Sequence, residues 1–162
     1  MLTVLALQCN WITKQIDFSN AFVQASLNKD VFVALPAIFQ DSSGQDPRLL
    51  CLKLNKSLYG MREAPKLWSD FLEKALKRCD FHPSHEDPSI YYGHGMAIAV
   101  YVDDVLFFGP SESDMETVIT ELQADGFELK REKSGDDSAY NFLGIHITQN
   151  DGAIKMTQHG LI

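Results

Sequence analysis

Apolar positions fall at helical spacing in two stretches of the chain. Leu67, Trp68, Phe71, Leu72, Ala75, Leu76 and Cys79 follow the i, i+3/i+4 rule, which predicts a helix entered through Ser57-Leu-Tyr-Gly60. Pro65 suits its first turn, and Gly60 is expected to permit a close backbone approach. The second helix follows Pro110: Ser113 and Glu116 offer a capping box, Met115, Val118, Ile119 and Leu122 form one apolar face, and Gly126 ends it. It should cover the back of a sheet. Residues 1–9 suit a short uncapped helix, and Ser19 offers an N-cap for a helical turn holding Ala21 and Phe22. Strand patterns occupy Trp11–Asp17, Val31–Leu35, Leu49–Leu54, Phe127–Arg131 as an edge strand, Tyr140–Ile147 and Ala153–Thr157. The second and third of these are expected to pair across the polar loop Gln40–Pro47, and the last two across the turn Gln149–Gly152, with Glu132–Ser138 a polar loop.

The central pattern is Met96–Gly109, two β-prone runs flanking Tyr101-Val-Asp-Asp104. Aspartate is a common turn residue, so a plain hairpin turn accounts for the pair taken alone. Asp17, however, closes an equally strand-like run far away in sequence. If the two strands are neighbours, three carboxylates meet. Like charges at close range raise one another's pKa and strain the fold unless a cation neutralises them. Oxygen-only ligation suits magnesium, which keeps several waters and takes its remaining ligands from substrate phosphates. The combination describes two-metal phosphoryl or nucleotidyl transfer.

Composition adjusts this picture in several ways. At 162 residues and 45% hydrophobic, the chain suits one domain with a sizeable core. No apolar run reaches the roughly 18 residues needed to span a bilayer, and Met1–Leu7 lacks the basic n-region of a signal peptide. Cys9, Cys51 and Cys79 are scattered among apolar neighbours without a Cys-x-x-Cys, and are read as buried free thiols in a reducing compartment. A net charge of −8 and a pI near 5.0 argue against a nucleic-acid partner. The cations are uneven, since Lys53, Lys56, Arg62, Lys66, Lys74, Lys77 and Arg78 make up half of all 14. One basic face on an acidic body explains them, and so does an ordinary solvated helix face. His82–Asp87 resembles a metal site, but Pro83 and Pro88 make it a turn-rich connector, read as structural.

Four blocks carry a resemblance that covers nearly the whole chain. Gln15-Ile-Asp-Phe-Ser-Asn-Ala-Phe22, Lys56-Ser-Leu-Tyr-Gly-Met-Arg-Glu-Ala-Pro-Lys-Leu-Trp68, Tyr101-Val-Asp-Asp104 and Phe142-Leu-Gly-Ile-His-Ile147 resemble, in that order, the reverse transcriptases of copia-type LTR retrotransposons. The resemblance implies an α+β, palm-like antiparallel sheet with helices on one face, built on a split βαβ, ferredoxin-like core. Residues 1–162 would be a single palm domain, with fingers before it, thumb and RNase H segments after it, and Gln158–Ile162 as the start of the next subdomain. The implied activity is RNA-directed DNA synthesis on an RNA or DNA template-primer with dNTP substrates. It would use two Mg2+ ions, with Mn2+ as a substitute, inside the cell in a cytoplasmic particle or the nucleus, with no membrane partner.

The same resemblance implies roles for individual residues. Asp17, Asp103 and Asp104 would be catalytic metal ligands, Asp104 the weakest of them. Phe18, Phe22, Tyr59, Gly60 and Lys130 would form the dNTP pocket, with Phe22 the aromatic gate against a ribose 2′-OH. Lys130 would lie near the nucleotide phosphates as a proton donor, although a solvated edge charge explains it equally. Arg62, Lys66 and Tyr101 would touch nucleic acid, and Leu143-Gly144-Ile145 would hold the primer end. Family members carry Asn-Gly soon after the gate motif, where this chain has Val23-Gln-Ala-Ser-Leu27. Absent fingers, which normally supply cations, would account for the acidic balance. Two other readings stay open: a retrotransposon remnant that keeps the palm fold as an interaction module, and a palm-type nucleotide cyclase, against which stands the lack of paired glycines before the acids.

Overall fold

The computed structural model describes residues 1–36, 46, 50–131, 139–150 and 153–158. In chain order these form α1 (Leu2–Gln8), β1 (Ile12–Phe18), α2 (Ala21–Gln24), β2 (Ser26–Ala34), β3 (Cys51–Lys56), α3 (Ala64–Arg78), β4 (His82–Pro83), β5 (Ile90–Gly93), β6 (Met96–Tyr101), β7 (Asp104–Gly109), α4 (Glu112–Ala124), β8 (Leu129–Arg131), β9 (Ala139–Phe142), β10 (Ile145–Asn150) and β11 (Ala153–Thr157). The fold is α+β with mostly antiparallel pairing. Six strands form the main sheet in the order β4-β5-β6-β7-β1-β8, β11-β10-β9 form a second sheet, and β2-β3 a hairpin. Because β7 is antiparallel to both β6 and β1, those two strands run the same way with β7 between them.

Both faces of the main sheet are covered, which is why Val105-Leu-Phe-Phe108 reads as an unbroken apolar run. Val105 and Phe107 face α3 and α4, joining Ile16, Phe18, Ile98, Trp68, Leu72, Leu76, Met115, Ile119 and Leu122 in the larger core. Leu106 and Phe108 face the other way, onto Ala6 of α1, Trp11, and Tyr140 and Phe142 of β9. Of the helices, α3 and α4, with the short α2 through Ala21 and Phe22, pack on the expected face. The first helix and the small sheet cover the opposite one. Among the described residues no helix is long and apolar enough to cross a membrane.

Several local expectations change. The N-cap of α4 is Ser111, whose hydroxyl accepts from the Asp114 N–H, so Ser113 and Glu116 make no capping box. Glu116 is drawn away by cations: its carboxylate accepts from the Arg131 guanidinium at 2.9 and 3.0 Å and lies 2.5 Å from Lys14. The α2 turn is entered through left-handed Asn20, with no side-chain cap, rather than capped by Ser19. Gly60 has open space at its Cβ position and is required by its φ of +89°, not by a close approach. Tyr140–Ile147 is two strands, because Leu143 and Gly144 both have positive φ and close a two-residue turn between Phe142 and Ile145. Of the cysteines, only Cys79 is buried; Cys9 and Cys51 are exposed. The expected loops at 40–45, 47 and 132–138, the turn residues 151–152, Leu49, and the end 159–162 lie outside the described residues.

Burial, then the neighbouring Glu121 and Asp125 carboxylates, pushes the Cys79 thiol up to about 11. A maleimide reagent near neutral pH should therefore label Cys9 and Cys51 and spare Cys79 until the chain is denatured; rapid labelling of all three in the native state would contradict this packing. Arg131 and Lys14 hold the Glu116 carboxyl below its ordinary value of 4.5. A carboxyl depressed on folding contributes stability that is present above the unfolded value and is lost as the pH falls through the folded one. Glu116→Gln should thus destabilise the chain by about 1 kcal/mol or less at neutral pH, the two half-exposed cations being screened by water. The urea midpoints of variant and parent should converge below about pH 3, and midpoints that stay apart there would contradict the ion-pair account.

Candidate active site

The two residues Val102 and Asp103 connect β6 to β7, with Tyr101 and Asp104 as the closing pair. Val102 has φ +56° while Asp103 is absent from the positive-φ set, the pattern of a turn that favours glycine at its first central position. A β-branched residue there is a genuine outlier, held because its surroundings over-determine it. The Trp68 Nε1–H donates to the Val102 carbonyl at 2.7 Å, and the Phe18 N–H donates to the Asp103 carbonyl at 2.8 Å. The Val102 side chain packs against the larger core. Both central carbonyls are thus anchored, one to α3 and one to β1.

Register does the rest. Asp17 pairs with Asp104 on one side and with Lys130 on the other, and Asp104 pairs with Tyr101. Directly opposed residues of antiparallel strands share a face, so Tyr101, Asp104, Asp17 and Lys130 form one row across β6, β7, β1 and β8. The row stands on the face opposite α3 and α4, since Leu106 alternates with Val105 in step with Asp104. Gln15, two positions before Asp17 on that face, is buried and donates to the Asn141 carbonyl at 2.6 Å, tying β9 to the strand that carries the acid.

A second group closes over the turn. Phe22 of α2 lies against Tyr59, ring centroids 4.7 Å apart. The Ser57 hydroxyl donates to the Phe22 carbonyl, and the Ser57 N–H donates to that of Ala25, docking the 57–60 loop on the α2 segment. Burial first, and then the charges of Asp103 and Asp17, hold the Tyr59 phenol above its ordinary range. Tyr59 therefore feels both acids while touching Phe22. Beneath them, an open cleft of about 230 Å3 is lined by Phe22, Trp68, Ser69, Val100 and Val102 among others.

Not every expected residue joins this group. The Phe18 side chain is buried in the core against Trp68 and Phe127, so only its backbone reaches the turn. Leu143 and Gly144 form the turn of the small sheet, on the acidic-row side of the main sheet, with Leu143 exposed. Lys66 is paired with Asp70 at 3.2 Å and Arg62 is exposed. With Lys66, four of the seven clustered cations are paired, since Lys53 pairs with Asp30, Lys77 with Glu73 and Arg78 with Asp125. Residues to which the sequence assigned no part in the site carry much of the support: Trp68 through its indole N–H, Gln15, Gln24 and Glu116. An indole on an apolar helix face was the one signal among them, since a buried Trp N–H needs an acceptor.

The donor chemistry fits a hard divalent cation. The acids offer only oxygen, and among the described residues neither Asp17 nor Asp103 forms an ion pair with Lys, Arg or His. Three side chains do not, however, close into one ligating group among the described residues. Such a site needs water and substrate oxygens to complete it, as magnesium sites commonly do.

The site is thus an acidic pair on a strained hairpin turn, opposed by a third acid on the neighbouring strand and accompanied by the Phe22–Tyr59 aromatic pair. The family described as reverse transcriptase (RNA-dependent DNA polymerase) matches residues 1–162, and the chain belongs to that family. It is 30% identical over 162 residues to the retrovirus-related Pol polyprotein from transposon RE1 of Arabidopsis thaliana, covering 98% of this chain and 10% of that protein. It is similar also to the transposon TNT 1-94 Pol polyprotein of Nicotiana tabacum, 27% over 134 residues (78% and 10%), and to the transposon Ty1-GR3 Gag-Pol polyprotein of Saccharomyces cerevisiae, 26% over 151 residues (91% and 8%). The chain thus spans a tenth or less of the length of these curated relatives.

Trp68→Phe keeps most of the ring contacts and removes the donor to Val102. It should cost about 1–3 kcal/mol, the penalty of an unsatisfied buried acceptor, and raise amide hydrogen exchange at 101–104 more than elsewhere. Exchange raised evenly over the chain would show that the indole bond does not hold the turn.

Proposed function

We propose that this chain is the palm of an RNA-directed DNA polymerase, the part of a copia-type Pol polyprotein that joins a dNTP to a primer 3′-OH on an RNA or DNA template. The observation that carries the reading is the register row in which Asp17 stands between Asp104 and Lys130 at the end where Tyr59 senses Asp103. The strand order β6-β7-β1-β8, with α3 crossing between parallel β1 and β6, supports a split βαβ, ferredoxin-like core for the palm.

In this reading Asp17 and Asp103 hold the cations and Asp104 contributes least. Two magnesium ions, replaceable by manganese, would supply activation of the 3′-OH and neutralisation of the departing pyrophosphate. Phe22, backed by Tyr59, closes the sugar side of the pocket against a 2′-OH. Gly60, left-handed and open, lets the 57–60 loop pass under the incoming base pair. Lys130, on the other side of Asp17, meets the phosphates, where it neutralises charge or gives a proton. Tyr101, Arg62 and Lys66 contact nucleic acid, Lys66 exchanging Asp70 for phosphate, and the Leu143-Gly144 turn supports the primer end. Fingers, thumb and RNase H segments of a longer intracellular polyprotein would grip the duplex, because four of the seven clustered cations of this chain are already paired with its own acids.

The test is magnesium-dependent dTTP incorporation on poly(rA)/oligo(dT). Asp103→Asn should lower the rate by about a hundredfold or more, and Phe22→Ala should erode the preference for dTTP over UTP while incorporation persists. Absence of incorporation by the parent chain would sink independent catalysis and favour a palm fold kept as an interaction module. Incorporation that survives Asp103→Asn would remove Asp103 from the chemistry.

A further inference from the structure

We infer that Gln24 is the positioning residue that fastens the Lys130 strand to the Phe22 segment, so that the two sides of the nucleotide pocket keep one spacing. The inference rests on the polymerase reading for its meaning, but on hydrogen bonds for its geometry. Gln24 ends α2, the same short helix that carries Phe22. Its amide Nε2 donates to the Ser19 carbonyl at 2.8 Å and to the Glu128 carbonyl at 2.8 Å, and its Oε1 accepts from the Glu128 N–H at 3.0 Å. One side-chain amide therefore reads the backbone of Glu128 in both directions, as a paired strand residue would. The Ser19 N–H adds a bond to the same Glu128 carbonyl at 2.9 Å, and Lys56 of β3 donates to the Gln24 carbonyl at 2.7 Å.

The strand so fastened needs it. β8 has three residues, lies at the sheet edge, and pairs only with β1. At its far end Arg131 is bound to Glu116 and Gln123 of α4. Lys130 is thus held between two clamps of different kind, a neutral amide clamp toward the gate and an ion-pair clamp toward the helix. Lys130 forms no ion pair itself among the described residues, so its position beside Asp17 is set by these backbone restraints and not by a partner for its ammonium. An edge strand this short, without them, would fray. The ion-pair clamp weakens in acid and salt; the amide clamp does neither.

The test has two arms on the 162-residue chain. Gln24→Met keeps the length of the side chain and removes its amide, and Gln24→Asn keeps the amide on a stem too short to reach. In the first arm, amide hydrogen exchange of the 127–131 segment should rise about tenfold or more in both variants, with 96–109 unchanged; equal rates in parent and Gln24→Met would overturn the clamp. Arg131→Met, which opens the other end, should raise exchange in the same segment and provides the comparison should Gln24→Met misfold. In the second arm, KM for dTTP in primer extension should rise about tenfold in Gln24→Met with little change in kcat, and Lys130→Ala should add nothing further in the double variant. A fall in kcat at constant KM, as a smaller folded fraction produces, or additive losses, would overturn the positioning role. A parent chain that shows the exchange difference but no incorporation sinks independent catalysis by this chain and with it the nucleotide role of Gln24 in it, leaving only the mechanical fastening. The two failures are therefore distinguishable.

Discussion

The antiparallel register of β1 on β7 is the constraint from which the site follows. Ile16 opposite Val105 and Asp17 opposite Asp104 put apolar residues on the helical face and acids on the other. Because side chains alternate, a slip of one residue would drive Asp17 into the helical core and Ile16 into the acidic row. The core therefore enforces the placement of the acids. Burial of Ile16, Phe18, Val105 and Phe107, each contributing about 1.5–3 kcal/mol, outweighs the electrostatic cost of two neighbouring carboxylates near an exposed sheet end.

The rest of the structure keeps that end from relaxing. The turn between β6 and β7 carries a strained Val102, and strain persists only where each escape is blocked. Trp68 blocks it from α3, Phe18 from β1, and the core from beneath Val102 itself. The same α3 that contributes apolar area thus also sets the height of the acids. On the far side, Glu116 joins Lys14 of β1 to Arg131 of β8, so α4 holds the two strands that flank Asp17 and Lys130. Each of the two core helices has a packing face and polar contacts toward the site, Trp68 to the turn itself and Glu116 and Gln123 to the strands beside it.

Much of this was legible from periodicity, and the failures have physical reasons. The strong repeats gave α3 and α4, and the run to Asp17, the central hairpin and the edge strand at 127–131 were all visible as β-prone segments. Misread were features decided by competition for a polar group. Ser111, not Ser113, caps α4, and Glu116 prefers two cations to a backbone N–H. Leu143-Gly144 lacks the Asn or Asp that usually marks a two-residue turn, so β9 and β10 looked like one strand. Cys9 lies just past α1 between exposed Gln8 and Asn10, and Cys51 lies on the β2-β3 hairpin where Leu52 is exposed too, so nearby apolar residues in the sequence did not bury either thiol. The Val23-Gln-Ala-Ser-Leu27 segment stood out as atypical of the resemblance, but nothing local says that the amide of Gln24 will find Glu128 a hundred positions later.

Charge separates what this chain can do from what the site demands. Phosphate-bearing substrates are drawn by unpaired cations, and here four of the seven clustered lysines and arginines already neutralise acids of the same surface. The acidic row repels the same substrates unless divalent cations bind first or with them. Cations bound at Asp17 and Asp103 would reverse the sign of the local field where the proposed triphosphate would lie, with Lys130 alone among the row already positive. On the proposed function, affinity for nucleic acid and reactivity toward nucleotide would thereby be set by different charges. In the proposed reading the first would depend on side chains elsewhere along a longer polypeptide, and the second on a few residues whose spacing this fold fixes through its core.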